Sequence, residues 1–229
     1  IESLDEKHSE KDYEKEVYQS HVYREQVVQD ILNHWDKTSS GALSAGKREK
    51  NVFQAMLAVS GKQAVVHYYN LFKEKAPHLR VAMTFSRDES NQPGTKEQNE
   101  ALKKAIKEYS SCFNVPSLLN AQEPARAYMI DITKRLARKK PYNQGKDEDR
   151  LDLVIVSDQL LTGFDSKYIN TIYMDKQLRE GMLIQAMSRT NRTFHLNSKP
   201  HGKVRFYHQG EQMKSFIENA LRIYTRGGN

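Results

Sequence analysis

The sequence predicts an α/β protein built on a mainly parallel sheet, and two observations predict this class. From residue 52 onward, short apolar runs alternate with amphipathic segments, which is typical of successive βαβ units. The apolar runs are nearly continuous, as expected for strands that helices cover on both faces. A length of 229 residues suits one domain, or one domain and an appendage, and no apolar run is long enough to span a membrane.

Five segments have the composition of buried strands, and amphipathic helices are predicted between and after them. The predicted strands are residues 52–60, 79–85, 151–157, 170–175 and 203–208. The predicted helices are residues 61–77, 95–111, 123–140, 179–191 and 211–225. The helix at 123–140 is expected to be basic on its solvent-facing side.

Residues 1–50 are predicted to form a helical connector and linker, followed by the α/β domain at 51–229. One long helix is expected over residues 8–36, because apolar residues recur there at helical spacing: Val27, Val28, Ile31, Leu32 and Trp35. A polar segment containing Gly and Ser follows it. We expect the helix to pack on the α/β domain, and a partner-binding arm is the alternative.

The net charge of +7 is unevenly distributed along the chain. Residues 1–30 carry nine acidic and four basic side chains, whereas residues 101–140 carry three acidic and nine basic ones. Residues 175–229 carry four acidic and ten basic side chains. Concentrated basic charge favours a polyanion partner such as nucleic acid or nucleotide, although helix faces kept basic for solubility would give the same pattern.

Cysteine and histidine usage argues against disulfide and metal chemistry. The single Cys112 excludes an internal disulfide, and the eight His residues are scattered, so we expect no metal site and a reducing cytosol. A G-x-x-x-x-G-K pattern at Gly41–Lys47 lacks the Ser or Thr that should follow the Lys, and no buried strand precedes it. We interpret it as linker, so ATP used by this protein would be held mainly elsewhere.

Ligands of parallel α/β sheets bind beyond the carboxyl ends of the strands. This rule selects four places in the sequence: Ser60–Lys62, Phe85–Ser86, Ser157–Asp165 and the residues from Asp175 onward. In the third place, Gly163 permits a turn and a close ligand, and Thr162 could donate to a phosphate. Asp165 could accept hydrogen bonds from a sugar, or it could be an ordinary turn or cap residue.

The segment 185–192 carries an unusual set of polar side chains. On a helical wheel they form one stripe about 100° wide, made of Gln185, Ser188, Arg189 and Arg192. The opposite, apolar side includes Thr190 and would pack on the sheet, leaving the stripe exposed at the carboxyl rim. No Asp or Glu occurs between residues 181 and 210, so the paired guanidinium groups favour a phosphate ligand.

Residues 155–192 resemble motifs V and VI of superfamily 2 helicases and translocases, and in detail the motor subunit of type I restriction enzymes. The matching pieces are Leu160–Asp165 (LLTGFD), Met174–Lys176 (MDK) and Gln185–Arg192 (QAMSRTNR). Residues 55–86 are similar to the motif IV region of the same family. The resemblance is strong over 151–192, moderate over 52–86 and weak at both ends.

The resemblance implies a RecA-like three-layer αβα domain, the second motor domain of an ATP-dependent translocase on double-stranded DNA. It implies that Arg189 and Arg192 reach the ATP phosphates across a cleft, where such arginines stabilise developing charge. Gln185 would position them, with Gly163 and Asp165 near the nucleotide sugar. DNA-backbone contacts are implied for four further residues: Ser60, Lys62, Ser86 and Thr162.

The resemblance also implies partners outside this sequence. ATP with Mg²⁺ would be held mainly by the first motor domain, which with a nuclease domain would belong to the same chain. Separate modification and specificity subunits would complete the enzyme, in the cytoplasm of a bacterium or archaeon and away from membranes. No acidic metal-binding box occurs here, and the acidic segment 146–150 is interpreted as solvated charge. The isolated chain is therefore expected neither to hydrolyse ATP nor to cut DNA.

Two other classes of function are compatible with parts of the sequence. A complete small nucleotide-binding enzyme would need an intact phosphate loop. A noncatalytic RecA-like DNA-binding or scaffold module, or the corresponding domain of another superfamily 2 helicase, would share the fold. Four aromatic residues are expected in the core instead of stacking on bases: Tyr68, Tyr69, Phe72 and Tyr128.

Overall fold

The structure is a computed structural model of the chain. It describes residues 16–35, 53–86, 94–157, 159–160, 164–177, 188, 190, 199, 201–208, 214–215, 217–219 and 222. The predicted helices at 179–191 and 211–225 fall largely outside these residues.

A five-stranded sheet forms the centre of the molecule, in the order β2-β3-β1-β4-β5. The strands are β1 (Gln54–Val59), β2 (Val81–Thr84), β3 (Leu153–Val156), β4 (Ile169–Asp175) and β5 (Lys203–Phe206). All four neighbouring pairs are parallel. Every residue of β1, β3 and β4 is buried, since these strands lie inside the sheet. The predicted parallel α/β fold and its five strands are confirmed.

In the part of the chain that the structure describes, four helices with complete bounds accompany the sheet: α1 (His21–Asn33), α2 (Gly61–Lys75), α3 (Thr95–Cys112) and α4 (Pro124–Leu136). Three short 3₁₀ turns lie at Pro116–Leu118, Tyr142–Gln144 and Asp147–Asp149. Helix α2 ends two residues before Pro77, because proline cannot donate the next helical hydrogen bond. In α4, by contrast, Pro124 occupies the first turn, where no such donor is needed.

Helix α1 is shorter than the predicted helix at 8–36. A helical turn at 16–19 ends at Ser20, whose hydroxyl caps α1 by accepting a hydrogen bond from the Tyr23 amide at 3.2 Å. Val27, Val28 and Ile31 join the core cluster of the sheet, so this helix packs on the α/β domain as expected. The proposed boundary near residue 50 stays a prediction.

The aromatic residues expected in the core are all buried: Tyr68, Tyr69, Phe72 and Tyr128. They fill the space between the helices and the sheet and are not available for stacking on bases. Among the described residues, no helix is both long and apolar enough to cross a membrane.

Helix α4 is basic on its solvent side as expected, since Arg126 and Lys134 are exposed, whereas Arg135 lies on the buried face and is 2% exposed. Its guanidinium carbon lies 4.0 Å from the Phe113 ring centre and 3.9 Å from that of Tyr142. Its Nε donates to Asp131 at 2.9 Å. Two aromatic faces and a carboxylate replace the water that a buried guanidinium loses.

The acidic segment 146–150 is largely solvated, as interpreted from the sequence, but Asp149 and Arg150 are partly buried. The side chains of Asp147 and Glu148 are each 74% exposed. Asp149 is 24% exposed, and its backbone carbonyl accepts a hydrogen bond from Arg135 at 3.2 Å. One residue of this loop therefore helps to hold the buried arginine.

Candidate functional site

The carboxyl ends of the strands form one straight edge. Residues in mutual register run across the sheet in a single row: Thr84, Val156, Ala58, Met174 and Phe206. The residues that follow this row project from the same edge, which we call the carboxyl edge. The places at Ser60–Lys62, Phe85–Ser86 and Asp175 lie along it, at the ends of β1, β2 and β4. The remaining place, Ser157–Asp165, begins there at the end of β3.

Ser60 and Lys62 lie at the carboxyl end of β1, where α2 begins. Ser60 is exposed, and within the described helix its hydroxyl makes no capping hydrogen bond. Gly61 has a φ of +83°, a left-handed conformation that favours glycine and turns the chain sharply into the helix. The first amides of α2 face the same edge, and such amides attract anions.

A chain of polar side chains connects the ends of β2 and β3. The Thr84 hydroxyl donates to Gln159 Oε1 at 2.7 Å, and Gln159 Nε2 donates to Ser86 Oγ at 3.1 Å. Thr84 is buried, Gln159 is half-buried and Ser86 is exposed. The chain therefore leads from the core to the surface. Sequence reasoning named Ser86 but missed Gln159, although Gln159 belongs to the third selected place, Ser157–Asp165.

The end of β4 is covered. Asp175 is 6% exposed, and its carboxylate accepts hydrogen bonds from Tyr23 at 2.7 Å and Tyr68 at 2.5 Å. Burial, together with the Asp175 carboxylate, raises the pKa of both tyrosine hydroxyls far above the usual value. Both hydroxyls therefore stay protonated and remain donors at any physiological pH.

Further polar contacts attach α1 to β5. Asp30 accepts hydrogen bonds from Arg205 at 2.6 Å and from the Tyr207 hydroxyl at 2.7 Å. Beside Asp175, the Lys176 ammonium donates to the Ser157 carbonyl at 2.7 Å, joining the ends of β4 and β3. Helix α1 thus closes the β4–β5 half of the carboxyl edge.

Asp165, predicted near the nucleotide sugar, lies away from this edge. The hydroxyl of the next residue, Ser166, donates to the Leu136 carbonyl at the end of α4 at 2.6 Å, and Ile169 begins β4. Asp165 is exposed and borders an open cleft beside α4 that Gln159 and Lys139 also line. The segment after β3 therefore starts at the carboxyl edge and reaches the amino edge by Asp165.

The predicted arginine helix can be checked at two positions. Ser188 is exposed and Thr190 is buried, as the helical wheel requires. Thr190 packs so closely on Gly202 that a Cβ there would overlap its backbone. Gly202 precedes β5, so Thr190 lies near the amino end of that strand. The expected place of the arginine stripe at the carboxyl rim stays a prediction. The other predicted residues lie outside the described part of the chain: Thr162, Gly163, Gln185, Arg189 and Arg192.

An all-parallel sheet with helical crossovers and a polar carboxyl edge defines an α/β domain of the RecA-like class. Within that class, the chain belongs to the family described as type I restriction enzyme subunit R domain 3, whose sequence profile matches residues 51–209. This confirms the resemblance seen in the sequence.

The individual relatives are named as endonuclease subunits of type I restriction enzymes. The chain is 29% identical over 220 residues to the type I restriction enzyme SauCOLORF180P endonuclease subunit of Staphylococcus aureus (strain COL), covering 93% of this chain and 21% of the relative. It is 30% identical over 183 residues to the SsaAORF53P endonuclease subunit of Staphylococcus saprophyticus, covering 76% and 18%. The HindI endonuclease subunit of Haemophilus influenzae is 46% identical over 54 residues, covering 24% and 5%. The chain spans about a fifth of the length of the first two relatives.

Proposed function

We propose that this chain is the second motor domain of an ATP-dependent double-stranded DNA translocase within a type I restriction endonuclease R subunit. It would contact the DNA backbone and supply arginines to ATP bound at an interface with a first motor domain. The nuclease domain of the same chain, and separate modification and specificity subunits, would complete the enzyme.

The observation that carries the DNA part of the proposal is the open half of the carboxyl edge. Ser60 and Ser86 are exposed there, at the ends of β1 and β2, with β3 between them. At a spacing of about 5 Å per strand, the two strand ends are roughly 10 Å apart. Hydroxyls, helix amides and Lys62 along one edge suit a phosphate backbone, and such contacts are independent of base sequence. Thr162 is proposed to join them.

For the nucleotide part, Arg189 and Arg192 remain the proposed catalytic residues, with Gln185, Gly163 and Asp165 nearby. Of these residues, Asp165 belongs to the described part of the chain, and it lies toward the amino edge of the sheet. Among the described residues, no group of three or more His, Cys, Asp or Glu side chains is arranged to hold a metal ion, and no step of the proposal uses one there. Mg²⁺ would accompany ATP on the first motor domain.

The test uses the full-length R subunit with its modification and specificity subunits. Arg192→Ala, and separately Arg189→Ala, should lower DNA-stimulated ATP hydrolysis about 1,000-fold, because these guanidiniums would stabilise the departing phosphoryl group. Arg126→Ala is the matched control, since Arg126 is 76% exposed on α4 and should leave turnover unchanged. Normal turnover in both test variants would favour the alternative, a noncatalytic DNA-binding or scaffold module.

The 229-residue chain alone provides a second check. We expect no ATP hydrolysis and no DNA cleavage from it, because the main ATP-binding site and the nuclease site would lie in other domains. Turnover that survives Arg192→Ala in the purified chain would contradict this proposal.

A further inference from the structure

Two hydrogen bonds link Thr84, Gln159 and Ser86, and in each the donor lies on the core side and the acceptor toward the surface. Thr84 is 3% exposed, and its hydroxyl donates to Gln159 Oε1 at 2.7 Å. This bond assigns the oxygen of the amide to Thr84 and turns the NH₂ group toward the surface. Gln159 Nε2 then donates to Ser86 Oγ at 3.1 Å.

This direction determines what Ser86 can do next. A serine hydroxyl has one proton to donate and lone pairs that accept. Because Gln159 donates to the oxygen, and no acceptor among the described residues takes the Ser86 proton, that proton is available to a ligand. Phosphate oxygens only accept hydrogen bonds, so a serine held in this state suits phosphate better than one whose proton is used internally. Aligned hydrogen bonds also polarise one another, which strengthens the terminal donor.

We propose that Gln159, held by Thr84, is a positioning residue that presents the Ser86 hydroxyl as a donor to a DNA backbone phosphate. The inference rests on the proposed function, because it takes Ser86 as a DNA contact. It adds two residues to the site, neither of which needs to touch DNA itself. It also ties the segment after β3 to the end of β2, so that the orientation of Ser86 depends on both strands.

The experiment measures the duplex DNA concentration that half-saturates ATP hydrolysis by the full-length enzyme. Direct binding of a labelled duplex, followed by fluorescence anisotropy, gives the same comparison without ATP. Gln159→Ala should raise the half-saturating concentration about five-fold with kcat unchanged, the effect of one lost hydrogen bond. Gln159→Glu should raise it further, because a carboxylate accepts the Ser86 proton and repels phosphate.

Thr84 provides the matched pair of variants. Thr84→Val removes the donor that orients the amide and should weaken DNA binding in the same direction as Gln159→Ala. Thr84→Ser keeps the hydroxyl and should restore binding to within about two-fold of the original protein. Thermal unfolding of each variant identifies any that weaken binding by unfolding the edge, because such a variant would lower the melting temperature and kcat together.

A double-mutant cycle shows whether Gln159 acts through Ser86. In a Ser86→Ala background, Gln159→Ala should have no further effect on DNA binding. Equal losses with and without Ser86 would overturn the inference. So would tighter binding by Gln159→Ala, which would mean that the amide had been taking the Ser86 proton.

Failure of the inference and failure of the proposed function give different results. If Ser86→Ala and Gln159→Ala both bind DNA normally while Arg192→Ala abolishes ATP hydrolysis, the motor assignment holds and the Ser86 inference is wrong. If the unmodified enzyme shows no DNA-stimulated hydrolysis and no duplex binding, both are wrong.

Discussion

The two halves of the carboxyl edge differ in the exposure and hydrogen bonding of their polar side chains. Around the ends of β2 and β1, Ser86 and Ser60 are exposed. Around the end of β4, Asp175 is buried and accepts hydrogen bonds from tyrosines on α1 and α2. One half presents its polar groups to solvent, while the other pairs them internally under α1.

This difference follows from the cost of burying a polar group without a partner. Where α1 covers the edge, a carboxylate and its donors must satisfy one another, so these residues contribute to stability. Where no described helix covers the edge, hydroxyls can exchange water for a ligand. Substitutions in the covered half should therefore change stability, and those in the open half should change binding.

The largest expected effect is that of Asp175→Ala in the covered half. It leaves the buried Tyr68 hydroxyl without its acceptor and removes a charged acceptor from Tyr23. The free energy of unfolding, measured by urea denaturation, should fall by about 3 kcal/mol. Glu148→Ala is the control, since Glu148 is 74% exposed and should cost less than about 0.5 kcal/mol. Equal losses in the two variants would mean that Asp175 contributes no more to stability than an exposed side chain does.

Lowering the pH should reduce the free energy of unfolding by a smaller amount, through a histidine at the contact between α1 and α2. His67 of α2 lies 2.8 Å from His21 and 3.1 Å from Arg24, both on α1. Burial, and then the Arg24 and His21 charges, lower the pKa of His67 below its usual value of 6.5. Its contribution to stability should therefore be complete above pH 6.5 and decline as the pH falls below that value.

Urea denaturation between pH 7 and 5.5 measures this decline. It should be weaker in His67→Gln, which removes the titrating ring, and unchanged in His78→Gln, whose parent residue is exposed. If the slope is the same in all three proteins, the α1–α2 contact is not the source of the pH dependence.

The smallest effect compares two serines at helix N-termini. Ser20 caps α1 through its side chain, so Ser20→Ala should lower the free energy of unfolding by about 1 kcal/mol. Ser60 at the start of α2 makes no such bond, so Ser60→Ala should cost less than about 0.5 kcal/mol. A loss of about 1 kcal/mol from Ser60→Ala would show that Ser60 serves the fold and is not reserved for a ligand.

The sheet could be predicted because each strand is marked by a pattern of neighbouring residues in the sequence. Strands buried on both faces need a continuous run of apolar residues, so all five appear in the sequence within a few residues of their observed bounds. Their parallel arrangement followed from the alternation with helices. The exposed candidate residues Ser60 and Ser86 followed from the strand ends in the same way.

Contacts between distant residues could not be predicted in this way. Tyr23 and Asp175 are 152 positions apart, and nothing near either residue indicates the other. Helical spacing places Arg135 on the buried face of α4 with Tyr128, but its aromatic neighbours Phe113 and Tyr142 come from separate segments of the chain. The place of Asp165 at the amino edge could not be predicted either, because it depends on the contact between Ser166 and the end of α4.

The sequence by itself determined the α/β class, the five strands, the strand-end residues and the family, because periodicity and short motifs are properties of neighbouring residues. Only the tertiary structure decided which polar groups meet across the chain. It buried Asp175 under α1, placed Ser86 at the surface in contact with Gln159, and separated Asp165 from the exposed serines Ser60 and Ser86. The physical reason is that burial and hydrogen-bond partners are properties of packed elements, which no single segment of sequence contains.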